Sequence, residues 1–375
     1  MTAVVREAHD GCFIFIPCAD MDNCESLPNW CLNYDEYVDQ DQTEDMPDLA
    51  IDPDDGILSI YNTSDRPKTY FVTVENCSRV LSAEGLDLLD IPALGTRRSY
   101  VTFIVLLWPN TFMDVCTLVP KLSPKQKKNM KKNGGRLSHS ALQSIHISSD
   151  IQEYTPTPSP ASETPAYDLT VFPLHHETDK DMSWLCTQAS GGALTHFAHA
   201  STFHAVDWRC AVGTPVVAVF DGVVLEVKVG SGVSGSHVSN LFSWNSILIK
   251  RLPDLRAAAS GDGSDSTTGD RNFSGGHDGE ATRGDERQAD HTHINVDTDA
   301  DALYVEYVHI SNDGVRVREG DIVRAGDVIC LSGDAGFCPE PHLHVQLQRG
   351  AREVGAPSVP LRWKGEAIRV GEYYP

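Results

Sequence analysis

The 375-residue sequence lacks any apolar run long enough to cross a membrane. A transmembrane helix needs at least about 18 apolar residues, and the longest stretch here, residues 100–108, is roughly half that length. The apolar stretch near the N-terminus, residues 12–16, is flanked by acidic residues and is too short for the core of a secretory signal. The sequence therefore predicts a cytoplasmic protein with no signal peptide and no membrane-spanning segment.

Positive charge is also scarce. The chain has 30 Lys and Arg against 53 Asp and Glu, a formal net charge of -23 at pH 7. Proteins that bind nucleic acids or anionic membranes through charge carry basic surfaces. The charge balance thus argues against both kinds of partner, and the one basic stretch, residues 121–136, is typical of a solvated loop.

Closely spaced cysteine pairs are missing as well. The ten cysteines are scattered, and no two of them form a CxxC pair. Structural zinc sites built from cysteine usually hold pairs about two to four residues apart, and a chain of this length does not need disulfide bonds to fold. We therefore expect free thiols, without a cysteine zinc knuckle.

The sequence does contain enough apolar material for two cores, because 41% of its residues are hydrophobic. Short runs rich in β-branched and aromatic residues alternate with turn formers, which is typical of strands. We predict a mainly β protein. It comprises a β-sandwich-like N-terminal domain over residues 1–120, a basic and Pro/Ser/Thr-rich linker over 121–166, and a compact antiparallel β-domain over 167–375.

The second domain is interrupted over about residues 253–300 by a Gly-, Ser- and Asp-rich segment with almost no core residues. This composition predicts a disordered insertion in a surface loop. Doubling the length of a loop costs only about 0.6 kcal/mol of closure entropy. The strand-like segments on either side, SWNSILIKR and ALYVEYVHI, can therefore still be neighbours.

Two histidines in the segment HLHVQLQ form the first candidate site. Side chains alternate along a strand, so His342 and His344 lie on one face, roughly 6.6 Å apart. Their imidazoles can converge on a metal ion, although such a pair also arises by chance on an exposed strand. His291 and His293 have the same spacing inside the insertion, but no apolar strands surround them, and we assign them no role.

Three motifs in order resemble the lysostaphin-type zinc metallopeptidases, many of which cut peptide cross-links in bacterial cell walls. AVDWRCAVGTPVVAVFDGVV is similar to that family's metal-binding Asp strand and its following turns. Tyr307-Val-His309-Ile resembles its Tyr-x-His element, and VREGDIVRAGDVICLSGDAGFCPEPHLH resembles its glycine-rich run into His-x-His. The resemblance covers about residues 167–363, and it implies a duplicated hybrid motif fold.

The resemblance implies that Asp207 and His344 are zinc ligands and that His309 and His342 handle protons and charge. A tetrahedral Zn²⁺ held by two imidazoles and one carboxylate keeps one position for water, whose pKa the metal lowers toward neutrality. One of the two remaining histidines would accept the proton, and the other would stabilise the oxyanion. The sequence leaves open which histidine does which.

The third zinc ligand has three candidates. Many relatives place a histidine four residues before the aspartate, but Phe203 stands at that position here. The stretch QASGGALTHFAHASTFHAVD resembles relatives with an upstream Thr-His ligand, which makes His196 the preferred residue. His199 remains a competitor, and His204 is three residues from Asp207, so strand alternation turns it to the opposite face.

The resulting prediction is a zinc-dependent endopeptidase for small-residue or cross-linked, peptidoglycan-like peptides. One alternative is a metallopeptidase fold that has lost hydrolysis and serves as a binding or scaffold module. Another is a cysteine hydrolase that uses Cys338 or Cys210 with a nearby histidine, although no sequence context for an activated thiol accompanies either cysteine. The oligomeric state and the role of the N-terminal domain stay open.

Deleting residues 261–297 should leave both folding and zinc content nearly unchanged, because the segment lacks core residues and its histidines are assigned no role. Thermal unfolding and metal analysis of the deletion variant check this. A variant that folds but no longer holds zinc would show that His291 and His293 contribute to the site.

Overall fold

A computed structural model of the protein describes residues 4–7, 11–16, 25–26, 48–90, 97–154, 165–176, 182–190, 195–196, 201–252, 302–350 and 358–375. Strands dominate this part of the chain, which confirms the mainly β prediction. The insertion predicted at about residues 253–300 lies outside the described residues.

The described part of the N-terminal domain consists of short strands and two helices. In chain order these are β1 (Val4–Glu7), β2 (Gly11–Ile16), β3 (Glu25–Ser26), β4 (Leu49–Ile51), β5 (Ile57–Asn62), β6 (Lys68–Glu75), β7 (Cys77–Leu81), β8 (Tyr100–Leu107), β9 (Thr111–Pro120), α1 (Pro124–Lys132), α2 (His139–Leu142) and β10 (His146–Glu153).

The strands of this domain form two sheets. One has the order β1-β2-β8-β6-β10, and the other has the order β3-β9-β5-β4 with β7 also paired to β9. Alternate residues of β6 and β8, such as Val72 and Phe103, point into a core shared with Leu58, Ile60 and Leu118 of the second sheet. Two sheets with a common core form the expected sandwich.

The structure differs from the predicted linker over residues 121–166. Ser123 caps α1 in a capping box with Gln126, so the basic stretch is a helix and not a loop. β10 pairs with β6 along its whole length, from His146↔Glu75 to Glu153↔Lys68. The N-terminal domain therefore continues to about residue 154, because the alternating HISSDIQE segment completes its sheet.

The C-terminal domain contains the remaining strands. These are β11 (Tyr167–Leu169), β12 (Trp184–Gln188), β13 (Val206–Arg209), β14 (Pro215–Val217), β15 (Gly222–Lys228), β16 (Ser246–Arg251), β17 (Leu303–Val308), β18 (Ile322–Val323), β19 (Val328–Leu331), β20 (His342–Arg349), β21 (Leu361–Trp363), β22 (Glu366–Ala367) and β23 (Tyr373–Tyr374); a 3₁₀ turn spans Val238–Asn240.

The main sheet of this domain has the order β18-β15-β16-β17-β20-β13-β12-β23, and smaller sheets join β11-β21-β22 and β14-β19. β16 and β17, which flank the insertion, are antiparallel neighbours, with Ser246 opposite Val308 and Lys250 opposite Tyr304. The chain therefore leaves the sheet after β16 and re-enters it in the neighbouring strand β17, as the composition of the two segments predicts.

Strand β20 lies between β17 and β13 and divides its residues between two environments. Leu343, Val345 and Leu347 are completely buried in the hydrophobic core. Because side chains alternate, His342 and His344 project from the opposite face of the same strand. The apolar residues of the HLHVQLQ segment hold the strand in the core, and the polar residues on its other face are available to form a site.

Six cysteines are buried free thiols: Cys77, Cys116, Cys186, Cys210, Cys330 and Cys338. None of the helices in the described ranges is both long enough and apolar enough to span a membrane.

Replacing Leu343 by Ala should lower the free energy of unfolding by about 2–5 kcal/mol, because it leaves a cavity in a core that cannot fully collapse. The exposed Ile322 on β18 is a matched control, and Ile322→Ala should stay within about 0.5 kcal/mol of wild type. Urea denaturation measures both. Equal effects of the two substitutions would contradict the assignment of β20 as a core strand.

Candidate metal centre

The centre of the site is a buried carboxylate. Asp207 lies in β13, between β12 and β20, and only 1% of its surface is exposed. The register sets Asp207 directly opposite His344 and sets Arg209 opposite His342. A carboxylate without partners is strongly disfavoured in such surroundings, so neighbouring groups must stabilise its charge.

Two imidazoles flank one oxygen of this carboxylate. His344 Nδ1 lies 2.9 Å from Asp207 Oδ1, and His196 Nε2 lies 3.2 Å from the same oxygen. His196 is only 2% exposed, and its ring is edge-on to that of His344 at 5.0 Å. The donor atoms of His196, Asp207 and His344 all lie within 4.8 Å of one another.

This trio fits a metal ion. A tetrahedral Zn²⁺ with bonds of about 2.0 Å separates its ligand atoms by roughly 3.3 Å, close to the spacings of this trio. Both ring nitrogens of His196 and Oδ1 of Asp207 are buried without a satisfying hydrogen bond, although the two residues are close. Such orphaned buried groups call for a further partner, and a cation would satisfy His196 Nε2 and Asp207 Oδ1 together.

The pKa shifts of Asp207 and His196 agree with a ligand role. Burial by itself would raise the pKa of Asp207, but the imidazoles of His196, His342 and His344 hold it well below its usual range. Burial also lowers the pKa of His196, even though Asp207 opposes that shift. An ionised carboxylate beside a neutral imidazole presents the lone pairs that a metal requires.

Two glutamines and one glutamate support the trio from outside. Gln188 Nε2 donates to Asp207 Oδ2 at 2.6 Å, while its Oε1 accepts from Thr195 N at 3.1 Å. His344 Nε2 lies 3.1 Å from Gln346 Oε1, and Gln346 Nε2 donates to Glu306 Oε2 at 2.9 Å. With the proton on Nε2 of His344, its Nδ1 presents a lone pair that can bind a metal. The bonds of Gln188 tie the segment carrying His196 to Asp207.

His309 reaches the site through an unusual backbone conformation. It follows the last residue of β17 and has φ of 63°, in the left-handed region that few non-glycine residues adopt. Gly333 N donates to His309 O at 2.7 Å, and a Cβ on Gly333 would lie 2.9 Å from that oxygen. The turn therefore needs glycine at position 333 and aims the His309 ring at His342, 4.6 Å away.

The hydrogen bonds of these two histidines indicate their tautomers. His309 Nδ1 is 2.7 Å from Ala335 O, and His342 Nδ1 is 2.7 Å from Glu340 O, so both Nδ1 atoms carry protons. His342 Nε2 faces Asp207 Oδ2 at 3.4 Å. With a carbonyl on one side and a carboxylate on the other, His342 is stabilised in its charged form.

The surroundings consequently shift the pKa values of these two histidines in opposite directions. Burial, reinforced by the neighbouring charge of His342, lowers the pKa of His309 to about 3. For His342, burial opposes the charged form, but Cys338 and Asp207 outweigh it and raise the pKa to about 10. The surroundings thus favour a neutral imidazole at His309 and a protonated one at His342.

The two cysteines named as possible nucleophiles have different surroundings. Burial raises the pKa of Cys210 to about 11. The Cys338 thiol lies 3.4 Å from His342 Nδ1, but it donates to Glu340 O at 3.0 Å, the same carbonyl that His342 uses. His309, Cys338 and His342 also have donor atoms within 4.8 Å of one another. The hydrogen bonds of this second trio already engage the thiol and both Nδ1 atoms.

All five residues proposed from the sequence, His196, Asp207, His309, His342 and His344, come together in one buried cluster. His204 lies outside it, in the turn before β13, with Nδ1 2.6 Å from Ser190 Oγ. His199, His291 and His293 lie outside the described residues.

Sequence reasoning overlooked the supporting residues. Gln346 carried a usable signal, because it shares the strand face of His342 and His344. Gln188 and Glu306 carried none, since their roles arise from strand register, in which they lie opposite Asp207 and Gln346.

Comparison with known proteins agrees with the motifs. Residues 277–356 match the model of Peptidase family M23. The resemblance to lysostaphin-type peptidases is thereby confirmed for this part of the chain, which contains His309, His342 and His344 but not His196 or Asp207. No curated protein matches the chain.

Several solved structures are similar at low identity. Lysostaphin from Staphylococcus simulans is 19% identical over 47% of this chain and 47% of that chain, with a TM-score of 0.27. A mutant catalytic domain of the prophage-encoded M23 protein EnpA from Enterococcus faecalis is 19% identical over 50% and 94%, with a TM-score of 0.26. A zinc-containing peptidase from Vibrio cholerae is 16% identical over 52% and 39%, with a TM-score of 0.24. The match spans about half the length of the lysostaphin structure.

Replacing Gln346 by Ala should weaken zinc binding about 10- to 100-fold, because His344 loses the acceptor that orients its ring. Competition with a chromophoric chelator measures the affinity. Arg349→Ala, at the exposed end of the same strand, is the control and should bind zinc like wild type. Unchanged affinity in Gln346→Ala would mean that the ring of His344 is held by other contacts.

Proposed function

We propose that the C-terminal domain is a single-zinc endopeptidase that hydrolyses small-residue or cross-linked, peptidoglycan-like peptides. The observation that carries the proposal is the convergence of two different sets of side chains on Asp207. One set fits a metal, and the other set is a pair of histidines with opposite protonation preferences. The family match over residues 277–356 supports a peptidase activity.

In this proposal His196, Asp207 and His344 hold Zn²⁺, which supplies Lewis-acid polarisation and a water molecule of lowered pKa. Gln188 and Gln346 keep the carboxylate and the His344 ring in their binding orientation. Three protein ligands leave a coordination position open for water and substrate, as catalytic zinc sites require.

The two remaining histidines divide the proton handling. His309 is neutral with its proton on Nδ1, so its Nε2 lone pair can accept the proton released by the attacking water. His342 is held in its charged form, so it can stabilise the negative oxygen that develops on the substrate carbonyl. This division rests on hydrogen-bond partners that sequence motifs alone do not specify.

The decisive experiment measures zinc content and hydrolysis separately. Wild type should bind about one zinc per chain and cleave oligoglycine or cell-wall cross-link peptides, as detected by mass spectrometry. Asp207→Ala should lose both properties. His342→Ala should keep the zinc and lose about 10²- to 10⁴-fold in rate, because it removes a proton-handling group and no ligand.

His204→Ala provides a matched control, since His204 is a nearby histidine outside the cluster and its replacement should preserve both properties. Zinc loss in His342→Ala would make His342 a ligand and contradict its proposed role. A zinc-loaded wild type that cleaves none of these peptides would favour the alternative of a binding or scaffold module.

A further inference from the structure

The N-terminal domain contacts the catalytic domain through one face of its sheet. Along β6 and β8, Phe71 pairs with Ile104 and Thr73 with Thr102 in register, so these side chains share a face turned away from the sandwich core. Phe71, Ile104 and Leu106 form a buried cluster with Val238 and Phe337 of the catalytic domain. The rings of Phe71 and Phe337 meet edge to face, 6.3 Å apart.

Polar contacts fix the alignment of this interface. Thr73 Oγ1 accepts a hydrogen bond from Val238 N at 2.9 Å, in buried surroundings. Beside it, His237 Nε2 lies 3.3 Å from Glu75 Oε2, and the His237 ring packs on Tyr100 at 5.3 Å. Directional bonds of this kind specify one docking position, which apolar contact alone does not.

The catalytic domain meets this face with two paired segments, residues 233–238 and 335–338, which we call the clasp. Gly336 N donates to Val233 O at 2.8 Å, and Cys338 N donates to Gly235 O at 3.3 Å. A Cβ on Gly336 would lie 2.9 Å from the Trp244 backbone, so the clasp has no room to shift sideways at this point. Its outer side chains, Val238 and Phe337, are the ones that contact the N-terminal domain.

The inner side of the clasp holds the proton-handling histidines. Ala335 O accepts from His309 Nδ1 at 2.7 Å, and Cys338 Sγ touches His342 Nδ1 at 3.4 Å. The residues that orient the metal trio, Gln188 and Gln346, instead lie on β12 and β20 within the catalytic sheet. The clasp therefore contacts the proton-handling histidines, whereas the residues that orient the metal trio lie outside it.

We propose that the N-terminal domain orients His309 and His342 through the clasp, with Phe337 as the positioning residue at the interface. This inference rests on the proposed peptidase function. The domain acts on the rate of proton transfer and leaves metal binding alone, because the described contacts of this sheet face involve the clasp and the adjoining Leu241, and none of them involves the metal trio. The N-terminal domain is thus required for the full rate of hydrolysis.

The test uses the full chain with alanine at either side of the contact. Phe71→Ala and Phe337→Ala should each lower kcat about 10- to 100-fold, since small misplacements of catalytic groups are that costly, while KM changes less than about threefold and zinc content is unchanged. The double variant should lose little more than either single variant, because both remove the same contact. Phe337→Leu, which keeps apolar bulk, should restore most of the rate.

Two controls separate positioning from general damage. Ile151→Ala removes an apolar side chain from the other face of the same sheet, since Ile151 lies opposite Tyr70, and should leave kcat unchanged. Thr73→Val removes the acceptor for Val238 N while preserving shape, so it should lower kcat in the same direction without unfolding the domain.

A readout independent of hydrolysis is the NMR signal of the Nδ1 protons of His309 and His342, which hydrogen bonding to carbonyls protects from exchange. These signals should shift or broaden in Phe71→Ala and Phe337→Ala and stay unchanged in Ile151→Ala. If wild type does not cleave peptides, the proposed function fails while this measurement still tests the positioning. Unaltered signals and kcat in both phenylalanine variants, or a loss of zinc in either, would overturn the inference.

Discussion

The buried carboxylate of Asp207 is the constraint on which the rest of the site depends. An ionised carboxylate in a medium of low polarity is far too costly to keep without compensation. Three imidazoles and the amide of Gln188 approach its two oxygens, and two of these imidazoles complete the set that fits a metal. The strand must therefore be flanked on both sides, and β12 and β20 supply those neighbours.

Much of this arrangement was accessible from the sequence because strand alternation is a strong rule. The HLHVQLQ segment predicts a strand with histidines on one face, whereas Asp207, His309 and His196 were proposed from the resemblance of their motifs to lysostaphin-type peptidases. The left-handed conformation of His309 was not predictable, because nothing local marks it. It follows from the close approach of Gly333 across the turn. Likewise Gln188 and Glu306 depend on register, which long-range pairing determines.

The domain boundary was misjudged for a related reason. Composition suggested a linker over residues 121–166, yet HISSDIQE completes a sheet by pairing with β6, which lies more than 70 residues earlier in the chain. The apolar run in β8 also carried information that composition alone did not use. A strand without alternation is covered on both faces. In β8 the sandwich core covers one face, and Ile104 and Leu106 pack against the C-terminal domain on the other.

The position of the insertion has a consequence for how this chain can vary. It leaves β16 after Arg251 and returns before Leu303, at the end of the β16–β17 pair away from Val308. His309 follows the other end of β17, so the six residues of that strand separate the return point from the site by roughly 20 Å. The points at which the chain leaves β16 and enters β17 are therefore distant from the histidine cluster along the sheet. This end of the strand pair is accordingly the natural position for grafting a fluorescent protein or an affinity tag into the C-terminal domain.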